Sequence, residues 1–187
     1  RTSGVGHDVD VGSGYWIGKE ILLKIALNQS IISEDPHLLE IRDIIYKKFE
    51  KDNFDEILEY ISNDDDSLAL KASITKDIIE ISNHNDVALS VLQEATYNVA
   101  DYIINLNQLL DYKNNNDLVL FGNGGVIRSS IYRKSLNDAL SFNFSKINWI
   151  LSDISAAYGP AMVAALSKDK NKITVKQVIK GDYLVSS

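Results

Sequence analysis

Apolar positions recur at three- and four-residue spacings over most of the first 110 positions. Trp16, Ile17, Ile21, Leu22, Ile25 and Ala26 predict a helix over 15–29. Asp35-Pro36 is a helix start, a capping carboxylate followed by a residue whose fixed φ suits the first turn. Leu38, Ile41, Ile45 and Phe49 continue it as one stripe to about Glu50. A short helix is expected over 54–61, closed by the acidic run Asn63–Asp66, and another over 68–81. The longest candidate covers 85–110. There Ala88, Leu92, Ala95, Val99 and Ile103, with Leu106 or Leu110, form a stripe rich in small residues that allows close packing.

After the polar linker Lys113–Asp117 the rhythm changes. Leu118-Val119-Leu120-Phe121 is apolar throughout and bounded by turn residues, the pattern of a strand buried on both faces. Gly122-Asn123-Gly124-Gly125 follows, then a helix over 129–141 through Ile131, Tyr132, Leu136 and Leu140, then a strand over 147–151. An alanine-rich helix over 156–167 and a terminal strand over 173–184 complete the expectation. Strand, glycine turn, helix and strand make a βα repeat with a parallel sheet. The fold class is therefore α/β, with a helical portion over about 15–112 and a βα portion over about 117–187.

Composition narrows the chemistry. The 187 residues suffice for one sizeable core, and a formal charge of -7 leaves no excess of Lys and Arg to hold nucleic-acid phosphates or an anionic membrane surface. The chain has no cysteine, which excludes disulfides, iron–sulfur clusters and thiolate zinc sites. Its three histidines, His7, His37 and His84, are too scattered for a histidine-rich metal site. No apolar run reaches membrane-spanning length.

Glycine usage is uneven: five of the ten glycines fall within positions 4–18. An EF-hand loop starting at Asp8 fails at Gly12, Ser13 and Lys19; a P-loop ending in Gly18-Lys19 fails at Ser13 and Glu20. Ile17 and Ile127 stand where a dinucleotide fingerprint needs its third glycine. Ser13, with His7 and Asp10, lacks the preceding strand of a nucleophile elbow.

Two readings of the opening segment stay open. Gly12-Ser13-Gly14, just before a helix, offers backbone N–H groups to an oxygen-rich ligand, or is the end of a tail with Ser13 as a plain cap. Asp8 and Asp10 alternate with valines and suit either a ligand contact or a solvated strand edge. Gly122–Gly125 is more pointed. Glycines at the carboxyl end of a parallel strand lie where open α/β folds bind ligands, and a tight turn alone would need only one of them. The alanine face of 156–167 reads as a helix packed closely on a neighbour.

Taken in order, three segments resemble a known family. "RTSGVGHDVDVGSGYWIGKE", "DLVLFGNGGVIRSS" after a long helix, and "ISAAYGPAMVAAL" are similar to segments of N-acetylglucosamine kinases and their BadF/BadG-type ATPase relatives, and together span most of 1–167. The resemblance implies a ribonuclease-H-like (actin-like ATPase) domain with a largely helical insertion. It would be the carboxyl-terminal half of a cytoplasmic sugar kinase, facing a second such domain across a cleft. The implied reaction moves the γ-phosphate of ATP, with Mg2+, to the 6-hydroxyl of N-acetylglucosamine. By the same resemblance Gly4, Val5, Gly6 and His7 border the sugar, and Asp10 contacts it. Gly122, Asn123, Gly124 and Gly125 surround the adenine and ribose.

The pattern departs from the family at Val5, where Trp is usual, at Val11, where Glu is usual, and in a stretch before Gly12 that is one residue shorter. The family's general-base aspartate and both phosphate motifs lie upstream of the region matching Arg1, so these 187 residues are expected not to phosphorylate sugar alone. The departures leave room for a catalytically silent regulatory or interaction domain of the same fold. An activator ATPase would need cluster-ligating cysteines, which are absent. The long helical insertion is a candidate homodimer surface.

Overall fold

The computed structural model describes residues 11–110 and 117–151. Eight helices and two strands run in the order α1 (Gly14–Leu27), α2 (Pro36–Phe49), α3 (Phe54–Asn63), α4 (Ser67–Ser73), α5 (Thr75–Ile81), α6 (Asp86–Leu109), β1 (Asp117–Gly122), α7 (Gly125–Arg128), α8 (Ser130–Leu140) and β2 (Lys146–Leu151) among the described residues. The result is a mixed helix and strand architecture with a small parallel sheet. Asp117 pairs with Lys146 and Gly122 with Leu151 at the two ends of the register.

Side-chain caps start the helices where local sequence places them. Asp35 Oδ1 accepts from the amides of His37 (2.8 Å) and Leu38 (3.2 Å), Asn85 accepts from Ala88 (3.0 Å), and Ser13 from Trp16 (3.1 Å). Each occupies backbone donors that the first helical turn leaves unpaired. The core between the helices is built largely from isoleucine. Ile17, Ile21 and Ile25 of α1 meet Ile41 and Ile45 of α2 and Ile57 and Ile61 of α3, and all are at most 2% exposed. β-branched residues are mediocre helix formers. These helices are therefore held by burial, at about 1.5–3 kcal/mol for each large side chain, rather than by local propensity.

Three expectations are corrected. The single helix over 68–81 is broken at Ile74 into α4 and α5. At the break Ser73 Oγ turns back to the Leu70 carbonyl, and Thr75 Oγ1 donates to Gly14 O at 2.5 Å instead of serving its own helix. The stripe on α6 is buried only as far as Ala100, while Leu106 and Leu110 face solvent. The strand read as buried on both faces is half-buried on one and exposed on the other. Leu118 and Leu120 pack on the core with Ile147 and Trp149, whose Nε1 donates to Asn137 Oδ1 of α8 at 2.9 Å, whereas Val119 is 54% and Phe121 79% exposed. The helix expected over 129–141 is present as α8, capped by Ser129, and a separate short turn, α7, precedes it.

The alanine-rich segment 156–167 and the strand expected over 173–184 lie outside the described residues. Among the described residues no helix is long and apolar enough to cross a membrane.

Candidate functional site

The glycine segment before α1 and the glycine segment after β1 lie more than 100 positions apart, yet they meet. Gly12 has φ +97°, a conformation that favours glycine, and a Cβ there would stand 2.4 Å from Val99 Cγ2 and 3.0 Å from Ala95 O. The buried Tyr132 hydroxyl donates to Gly12 O at 3.0 Å, pinning this turn to α8. Burial also pushes the Tyr132 phenol above its ordinary pKa, so it remains a donor. Ser13 then caps α1, and Gly14 sits against Val126, whose Cγ2 is 3.3 Å from where a Cβ would be.

Between these segments lies a cavity of about 740 Å³, a size suited to a small organic ligand. Gly14 and Tyr15 of α1 form one wall, Thr75, Ile79 and Glu80 of α5 a second, and Gly125, Val126, Arg128, Ser129 and Ile131 a third. Ala72 and Ile79 give it apolar surface, while Lys76 and Arg128 supply positive charge. Lys76 Nζ lies 3.9 Å from Glu80 Oε1, an exposed pairing that contributes little to stability. Arg133 holds the third wall: its Nη1 donates to the carbonyls of Ile127 (2.7 Å) and Arg128 (2.8 Å), closing the short α7 turn. The first turns of α1 and α8 both contribute residues to the walls, so the positive ends of two helices adjoin the cavity.

No protein-family model matches this chain, and no curated protein matches it.

The geometry separates the glycines of the second segment. Gly122 is closely packed: a Cβ would come within 2.9 Å of Leu151 Cδ2 and 3.1 Å of Ile127 Cγ1, side-chain atoms that would have to shift to admit it. Gly124 is required by backbone conformation, with φ +106°. Gly125 is required by neither. Its φ is not in the left-handed region, a Cβ would meet nothing within 4 Å, and the residue lines the cavity. Asn123 lies in the turn between them.

Gly4, Val5, Gly6, His7 and Asp10, the sugar-side residues expected from the resemblance, lie outside the described residues. Thr75, Lys76, Arg128, Ser129 and Arg133 were not singled out by sequence. Only Ser129 carried a local signal, as a serine just before an apolar-periodic segment; the others reach the cavity through tertiary packing.

ATP fits the cavity in size and in its mix of apolar wall, backbone and cationic side chains. Mg2+ does not find a matching ligand set. Among the described residues there is no group of three or more His, Cys, Asp or Glu side chains that could hold a metal, and the cavity's carboxylate there, Glu80, faces Lys76.

Proposed function

We propose that the chain is the second, ribonuclease-H-like domain of a cytoplasmic, N-acetylglucosamine kinase-like ATPase, and that the cavity between α1, α5 and α7–α8 receives the nucleoside part of ATP. Gly125 carries this reading. A glycine that neither packing nor backbone conformation demands, facing a cavity of about 740 Å³, is accounted for by a ligand that comes against the backbone. The neighbouring Ser129 and Ser130 give hydroxyl groups for a ribose, and Lys76 and Arg128 give charge for phosphates. The acceptor sugar would sit against Gly4–His7 and Asp10, upstream of the cavity wall formed by Gly14.

The test is titration of the full-length protein with ATP and with N-acetylglucosamine, for wild type and for Gly125→Val. The valine fits the open space, so folding should be unchanged, while ATP affinity falls by more than about tenfold and sugar affinity stays constant. Equal ATP affinity in the two proteins would remove the nucleotide from this cavity. If neither ligand bound the wild type, a silent interaction domain would take the place of the kinase.

A further inference from the structure

Two glycines one helical turn apart, Gly14 and Gly18, open a groove along one face of α1, and the elbow between α4 and α5 lies in it. At Gly18 the opposing group is the Lys71 carbonyl, near the end of α4. At Gly14 a Cβ would stand 3.8 Å from Ala72 Cβ, 3.7 Å from Thr75 Oγ1 and 3.3 Å from Val126 Cγ2. Gly14, Ala72, Thr75 and Val126 all line the cavity, so its walls converge on one glycine.

Thr75 fixes the elbow there. A threonine in a helix ordinarily turns its hydroxyl to a carbonyl three or four residues back, as Thr96 of α6 does with Leu92 at 3.0 Å. Thr75 instead donates to the Gly14 carbonyl of α1 at 2.5 Å, 61 positions earlier. The side chain is 3% exposed, and a buried hydroxyl is costly unless it is bonded. The bond satisfies it, and in doing so makes the position of α5 depend on α1. From Thr75 the chain continues into the wall that carries Lys76, Ile79 and Glu80.

Resting on the nucleotide reading of the cavity, we propose that Thr75 is a positioning residue for the nucleotide. Its hydroxyl latches the α4–α5 elbow to α1 and so sets the gap between the α5 wall and the Gly125 wall before any ligand arrives. A nucleoside entering that gap meets Ile79 and the Gly125 backbone already in place, and binding does not have to order α5. Without the bond α5 can shift out of the groove, and the apparent affinity falls with the fraction of molecules whose wall is still in place.

The experiment measures the affinity of the full-length protein for a non-hydrolysable ATP analogue in wild type, Thr75→Val, Thr75→Ser and Thr96→Val. Valine keeps the branching and volume of threonine without the hydroxyl, and serine keeps the hydroxyl. Thr96→Val is the matched control. Thr96 is 1% exposed, its hydroxyl also joins two helices, through Ser135 of α8 at 2.8 Å, and it does not line the cavity. Both valine variants should lose stability. Only Thr75→Val should lose affinity, by at least about fivefold, with Thr75→Ser and Thr96→Val staying within about twofold of wild type.

A loss of affinity in Thr75→Val no greater than in Thr96→Val, or a Thr75→Ser as weak as Thr75→Val, overturns the role of Thr75 and leaves the nucleotide site standing. Failure of wild type to bind the analogue, or binding that Gly125→Val leaves unchanged, overturns both. Should Thr75→Val not fold, hydrogen exchange in wild type decides. The bound analogue should slow exchange at 75–80 as well as at 125–131. Slowing confined to 125–131 overturns the role of Thr75, and slowing absent from 125–131 overturns the nucleotide site with it.

Discussion

Gly18 of α1 lies against the backbone carbonyl of Lys71 on α4, so closely that a Cβ would stand 1.9 Å from the oxygen and 2.7 Å from the carbon. The two helices cross where one of them has no side chain. Lys71 completes the contact from the other direction, its ammonium 5.5 Å from the centre of the Tyr15 ring. Glycine normally weakens a helix interior by up to about 1 kcal/mol relative to alanine. Here that preference is overruled, because the opposing group is backbone and cannot rotate away. Gly18→Ala is expected to destabilise the protein by more than about 3 kcal/mol, measured by denaturant unfolding. A loss below about 1 kcal/mol would mean that α4 is free to slide off α1.

Asn85 is 1% exposed and joins α6 to α2. Its Oδ1 caps α6 through the Ala88 amide, and its Nδ2 donates to the His37 carbonyl at 2.9 Å and to Glu40 Oε2 at 2.8 Å. Asn85→Ala removes the cap and both bonds to α2, at an expected cost of about 2–4 kcal/mol. Asn85→Asp keeps the cap acceptor but loses the donors and sets a carboxylate beside Glu40. It should therefore be destabilised near neutral pH and recover part of the loss in acid. A variant Asn85→Asp as stable as wild type near neutral pH would show that the link to α2 contributes nothing.

Glu40 also answers to pH. The Asn85 amide, and after it the hydrogen bond from the His84 ring at 2.9 Å, hold its carboxyl below the ordinary value of 4.5. A depressed folded-state pKa stabilises the fold above the unfolded value and loses that contribution as pH falls through the folded one. The stability of wild type should decline as pH is lowered from about 4.5, and Glu40→Gln should reduce the slope in that window. The carboxylate is partly solvated, so the effect is screened and modest. Identical acid limbs for the two proteins would assign the decline to other groups.

What could be read in sequence was local. Asp35-Pro36 and Asn85 announce helix starts through their own side chains, and Leu38, Ile41 and Ile45 report a buried face by spacing alone. What could not be read depends on partners far away in the chain. The break at Ile74 coincides with a threonine hydroxyl that reaches Gly14, 61 positions earlier. The apolar stripe of α6 continues past Ala100 with unchanged periodicity, yet its last turns face solvent. Periodicity shows that a face is apolar, not that another element covers it. The same holds for Phe121, whose outward face no local pattern distinguishes from Leu120. Each of the two glycine segments was visible alone, but their meeting across the cavity rests on Tyr132, marked in sequence only as part of an apolar stripe, and on Thr75, which carries no mark.

The glycines after β1 allow a sharper separation of fold from function. Gly124 lies at φ +106° with open space around it, so Gly124→Ala meets no clash but takes on backbone strain of about 1–3 kcal/mol. Gly125 begins α7, also with open space and with no positive φ. There, alanine restricts the unfolded chain and suits the helix, so Gly125→Ala should leave stability unchanged or raise it by up to about 1 kcal/mol. The two neighbouring substitutions, alike in chemistry, are thus expected to differ: Gly124→Ala lowers the denaturation midpoint, and Gly125→Ala leaves it in place or raises it. If Gly125→Ala instead destabilised the protein as much as Gly124→Ala, the glycine at 125 would be a requirement of the turn, and its value as a sign of a ligand would be lost.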